Sequence, residues 1–131
     1  MSERYRSDYV LLEVSEMLGP HAEAMDVEWA EFVGDKSSEL DFEVPTADAR
    51  DGYVTIQALD VSEYGHEVVV NGEPLTGFDL PPHDGWQTWM DVISGPELVE
   101  GTNTLRFRRD DESRDSFVVG SVRVTWREPI E

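Results

Sequence analysis

The run Val68-Val69-Val70, followed at once by Asn71-Gly72, constrains this chain more than any other stretch. Three consecutive β-branched residues favour extended backbone, and Asn-Gly accepts the two positive-φ positions that a type I′ hairpin turn requires. A hairpin here follows from backbone sterics, and it commits the flanking chain to antiparallel pairing. Further on, Gly101-Thr102-Asn103 leads into Leu105-Arg106-Phe107, a second turn feeding a second strand. Turn and strand signals this close together point to two packed sheets.

The rest of the chain agrees with that reading. Residues 9–14 have the length and side-chain character of a first strand. Leu40-Asp41-Phe42-Glu43-Val44 alternates apolar and acidic, as a half-buried strand does, and Pro45 stops it. In 53–61, Val54, Ile56 and Ala58 share one face, with Tyr53, Thr55, Gln57 and Leu59 on the other. Residues 66–70, 75–80, 104–108 and 117–126 complete the set, and Gly120 marks a bulge that re-phases Phe117 and Val119 against Val122, Val124 and Trp126. Segment 86–93 is ambiguous by pattern: Trp86, Trp89, Met90 and Ile93 keep helical spacing. Its eight-residue length between strands favours a strand. Residues 1–8 read as frayed, 21–32 as a loop whose Trp29 and Phe32 tuck into the sandwich edge, and 96–100 as a single helical turn. The expectation is one all-β domain over 1–131, a jelly-roll β-sandwich of about eight antiparallel strands.

Charge bounds the setting. Twenty-nine acidic residues face ten basic ones, a formal net charge of −19, and Lys36 is the only lysine. The acids are spread along a chain that is 39% hydrophobic, which argues against a disordered acidic tail. Such self-repulsion is costly in dilute buffer, yet molar salt shrinks the Debye length to about 3 Å. The composition therefore suggests adaptation to a salt-saturated cytoplasm. It also argues against nucleic acid as a partner, since no basic stripe offsets phosphate repulsion. With no cysteine, disulfides and thiolate metal sites are excluded. No apolar run has the length of a membrane span, and MSERYRSDY lacks the apolar core of a signal peptide. The expected location is cytoplasmic, without a membrane partner.

The string V-V-V-N-G, a tryptophan segment ending in Met90-Asp91, and then G-T-N-T-L resemble the galactose-binding-domain-like sandwiches over roughly residues 40–128. Asn71 and Gly72 match that family's hairpin, and Gly101 and Asn103 its later turn. Taken whole, the chain also resembles small uncharacterised proteins of salt-loving archaea, through GHEVVVNGEPLTGFDLPP, GWQTWMD, EGTNTLRFRR and WREP. The first resemblance implies a β-sandwich and, as an expectation, recognition of a carbohydrate-like ligand. The second implies no activity.

No nucleophile elbow, phosphate-cradling loop or dinucleotide fingerprint is present. His66-Glu67 begins like a zinc-helix motif but lacks the second histidine and lies on a strand. Carboxylates for calcium are abundant, but a solvated acidic surface is the simpler account. The chain reads as a non-enzyme without cofactor or metal. Trp126 ends an alternating strand and belongs to the core. Trp86 follows the loop His83-Asp84-Gly85, where the ring either packs over the sandwich end, the simpler account, or stands exposed to stack on a sugar or anchor a protein. Successive antiparallel strands place alternate connections at one end of the sandwich. That count gathers Tyr64, His66, His83, Asp84, Trp86 and Arg114 as the candidate ligand-binding end. Two functions fit: a binding module for a small polar or carbohydrate-like ligand, or an intracellular protein–protein interaction or assembly subunit using the same aromatic end.

Overall fold

Alternation sets the register of the long strands, and the two apolar faces it creates close on one another. The computed structural model describes residues 4–76 and 80–130. In chain order the strands are β1 (Tyr5–Leu18), β2 (Glu31–Gly34), β3 (Leu40–Val44), β4 (Arg50–Leu59), β5 (Glu67–Val70), β6 (Glu73–Pro74), β7 (Trp86–Val92), β8 (Gly101–Arg108) and β9 (Phe117–Pro129). They form a five-stranded sheet, β2-β1-β9-β4-β7, and a four-stranded sheet, β3-β8-β5-β6. The expected all-β sandwich is therefore observed. The sole helical element among the described residues is a 3-10 turn at Ala22–Ala24, and no helix is long and apolar enough to cross a membrane.

Val54, Ile56 and Ala58 on β4, with Val122, Val124 and Trp126 on β9, face Phe42, Val44, Val68, Val70, Leu105 and Phe107 of the other sheet. All are buried. Burial of each large side chain stabilises the fold by about 1.5–3 kcal/mol before chain entropy is charged against it. The register along β9 shows why glycine stands at position 120: Ile56 pairs with Val122 and Ala58 with Val119, so Gly120 and Ser121 oppose Gln57 alone. This bulge turns Phe117 and Val119 to the same core as Val122, Val124 and Trp126. Asn71 (φ 52°) and Gly72 (φ 83°) both lie in the left-handed region, as a type I′ turn requires. Segment 86–93 is extended and pairs with β4 from Tyr53–Val92 to Leu59–Trp86. Sheet pairing has overridden its helical spacing.

Several expectations are corrected. Residues 5–8 are not frayed: they pair with β9, and Arg6 donates to Glu128 Oε2 from Nε (3.2 Å) and Nη2 (3.1 Å). Glu128 is itself buried and accepts the Trp126 indole N–H at 2.9 Å, so the amino-terminal strand completes a core tryptophan's polar partner. Within 21–32, Glu31 and Phe32 open β2, which runs parallel to β1, so the sheets are not wholly antiparallel. Trp29 does not tuck into the edge but is 59% exposed, and Phe32 is partly exposed. Residues 96–100 form no helical turn. The strand expected at 75–80 lies partly on residues 77–79, outside the described residues; β6 ends before it, at Pro74.

Candidate interaction surface

Three connections meet beyond the end of β4, as the count of strand directions anticipates. Asp115 accepts the backbone N–H groups of Ser62 and Glu63, while Arg114 N donates to Glu63 Oε2. His83 N donates to Val61 O, and Gly85 N to Asp60 Oδ1. Side-chain placement, however, divides the six residues. His66 is 1% exposed and spans the loops from inside: Nδ1 accepts Asp110 N–H at 3.1 Å, so its hydrogen sits on Nε2 and is donated to Asp115 at 2.7 Å. Burial alone would raise the Asp115 pKa. The hydrogen bonds from His66, Ser62 and Glu63 outweigh it and hold this carboxyl below the ordinary aspartate value.

His83 is half-buried, its Nε2 3.0 Å from Ala58 O and its Nδ1 3.1 Å from the Trp89 indole nitrogen. These two histidines organise loops. Tyr64, Asp84 and Arg114 are exposed. Trp86 is exposed too, but it belongs to β7 and turns onto the outer face of the five-stranded sheet. There its ring covers Gly120, where a Cβ would come within 2.9 Å of it, and meets Trp29 at a centroid distance of 5.9 Å. The six residues thus share one end of the sandwich without forming one surface.

That outer face holds what the reading of the loops missed. Strand register sets its residues in rows: Tyr9, Thr125, Tyr53, Val92 in one, and Leu11, Arg123, Thr55, Met90 in the next. Tyr9, Leu11, Met90 and Val92 are each at least 57% exposed, and Trp86 and Trp29 extend the patch. The outward positions of β1, β4, β7 and β9 carry Arg123 and Arg127 but few carboxylates, chiefly Glu13 and, at the β4 bulge, Asp51. In a chain of twenty-nine acids this face is depleted of them. Arg123 lies over the Tyr9 ring at 5.8 Å and has no ion-pair partner among the described residues. A sequence signal existed. In Tyr9-Val10-Leu11-Leu12 both faces are apolar, and only one can serve the core.

The β7 edge adjoins this patch. Ile93 N donates to Gly52 O. Antiparallel alternation then aims the backbone groups of Trp86, Thr88, Met90 and Val92 away from β4. Val92 N–H is taken by the Asp91 side chain at 2.8 Å, while the strand carries neither proline nor lysine to block pairing. Among the described residues, no group of three or more His, Asp or Glu is placed to hold a metal ion.

A family model matches residues 6–128. The chain belongs to that family, DUF7383, a family of unknown function. The match runs from β1 to β9, so the family unit is the whole sandwich. No curated protein matches the chain. Among solved structures, the chain is similar to part of dimeric latent PorU from Porphyromonas gingivalis, at TM-score 0.58 and 10% identity over 96% of this chain. The chain spans 13% of that protein, and the likeness speaks for fold alone. It is also similar to the coat protein of tobacco streak virus, at TM-score 0.44 and 11% identity, covering 95% of this chain and 88% of that one.

Proposed function

We propose that this DUF7383 member is a non-catalytic binding module that docks another protein on the outer face of its five-stranded sheet. One observation carries the reading: Tyr9, Leu11, Trp86, Met90 and Val92 stand exposed together on one face. Scattered exposed apolar residues are ordinary, whereas two exposed apolar groups on one sheet face, with Tyr53 and Arg123 between them, suit an interaction site. The adjoining β7 edge offers backbone groups for strand addition. An unlike partner is favoured over a second copy, because this face carries Arg123 but few carboxylates, so a like face would not supply the acid that Arg123 lacks. Arg123 calls for a carboxylate on that partner. The charge and the single lysine support a setting in a salt-rich cytoplasm. The test is a photo-crosslinking residue at Thr88, in cells, with and without Met90→Asp. A single discrete adduct, lost in the variant while its melting temperature is kept, is expected. No adduct, or one indifferent to Met90→Asp, would count against the reading.

A second reading, a small polar or carbohydrate-like ligand at the loop end, draws on the exposed Trp29–Trp86 pair and the resemblance to galactose-binding-domain-like sandwiches. Indole faces stack on sugar rings. Saturable quenching of tryptophan fluorescence by a sugar from a glycan array, abolished by Trp86→Ala, is its expected signature. Absence of any array signal would remove it.

A further inference from the structure

We infer that a cleft on the outer face of the four-stranded sheet is a binding site for a phosphoryl oxyanion. The cleft encloses about 160 Å³ and is lined by Lys36, Arg106, Arg108, Thr104 and Glu39 among others. Three of the ten basic residues of the chain, its only lysine included, meet there. Backbone geometry puts them together. Lys36 and Arg108 are partners in an isolated antiparallel bridge, and Arg106 lies two residues along β8, on the same face.

The frame is rigid. Ser37 is buried and donates its backbone N–H to Phe107 O at 2.9 Å, while its Oγ accepts Phe107 N–H at 2.8 Å. Beside it, Arg109 grips Asp35 Oδ1 through Nε (3.0 Å) and Nη2 (2.7 Å). The segment bearing Lys36 is thus fixed on both sides.

The charges in this frame are incompletely matched. Arg108 Nη2 reaches Glu67 at 2.8 Å, but its Nε is buried and has no hydrogen-bond partner. Arg106 spends its Nε on Ser37 O at 3.0 Å, and neither Arg106 nor Lys36 has a carboxylate at ion-pair distance among the described residues. With nearly three acids for each base, carboxylates are the cheapest counter-ions this chain has, yet two adjacent cations go without them. An oxyanion in the cleft would accept together from the outward guanidinium groups of Arg106 and Arg108 and from the Lys36 ammonium. Three cationic side chains around one small cleft suit the several acceptor oxygens of a phosphoryl group better than the two of a carboxylate, and the volume fits one such group.

The test follows the arginine Nε–H and lysine Nζ resonances of the whole protein during titration with inorganic phosphate, at constant ionic strength set by potassium chloride. Saturable shifts at Arg106 and Arg108 are expected, with affinity about tenfold weaker in Arg106→Gln and in Lys36→Gln. Lys36 is exposed, so its variant separates loss of the site from loss of fold, and Arg114→Gln should bind like the wild type. Glycerol phosphate distinguishes sources: tighter binding than phosphate identifies an esterified ligand, and equal binding the free ion. Identical shifts with chloride alone, unsaturable shifts, or variants that bind like the wild type would mean an adventitious ion only and overturn the inference.

Discussion

His66 and Asp115 show how a residue's type misleads when its surroundings are unknown. A histidine between a loop and a strand invites a binding role, but both its ring nitrogens are committed to Asp110 and Asp115, inside the protein. Asp115 in turn holds the turn at Ser62 and Glu63. Asp115→Asn should cost about 2–4 kcal/mol at neutral pH, since it weakens a buried network and removes its charge. The pH dependence has a definite sign. Because the folded carboxyl is held below its usual value, its contribution is fully present above the unfolded aspartate pKa of about 3.9. It is lost as pH falls from there through the folded value. Urea melts should therefore show the gap between wild type and variant narrowing below about pH 4. A gap constant across acid pH would contradict this.

Among the elements, the β5–β6 hairpin and β8 are tied more closely than their turn signals suggest. Asn71 Nδ2 donates to Asn103 Oδ1 at 2.9 Å and to Glu97 O at 2.8 Å, and Asn71 Oδ1 accepts Thr104 N–H. Asn103, wholly buried, also binds Val99 and Gly101. Both asparagines are chosen by turn chemistry, yet their side chains clasp two turns to each other. Gly72→Val places a β-branched residue at φ 83° and should cost about 1–3 kcal/mol, read as a lowered urea midpoint. No close neighbour of Gly72 would meet the new side chain, so a large loss would be backbone strain rather than a clash. A loss within error of zero would mean that the turn relaxes at no cost.

For the whole molecule, net charge dominates the response to solvent. Among the described residues, arginines pair with Glu128, Asp48, Glu67, Asp35 and Asp51, a small share of the twenty-nine acids of the chain. The remaining carboxylates repel, and that repulsion is screened within about 3 Å at molar salt. Melting temperature should climb by many degrees between dilute buffer and molar potassium chloride. An unchanged value would show that the acids are spaced too widely to matter.

Local chemistry made several features legible without coordinates: the Asn71-Gly72 hairpin, the inward faces of 40–44 and 53–61, the Gly120 bulge and the buried Trp126. Each depends on backbone sterics or on period-two alternation, which near neighbours in the chain decide. The extended state of 86–93 was decided from outside, because pairing with β4 satisfies backbone groups whatever the side-chain spacing. So was the anchoring of residues 5–8, since their strand pairing comes from β9, more than a hundred residues away. The candidate site was legible only in part. Loop ends followed from counting strands, but whether His66 points in, or Trp86 lies flat over Gly120, depends on contacts between distant segments. The exposed Tyr9, Leu11, Met90 and Val92 became one surface only when sheet register placed β1 and β7 around β9 and β4, because adjacency across a sheet is set by pairing and not by distance along the chain.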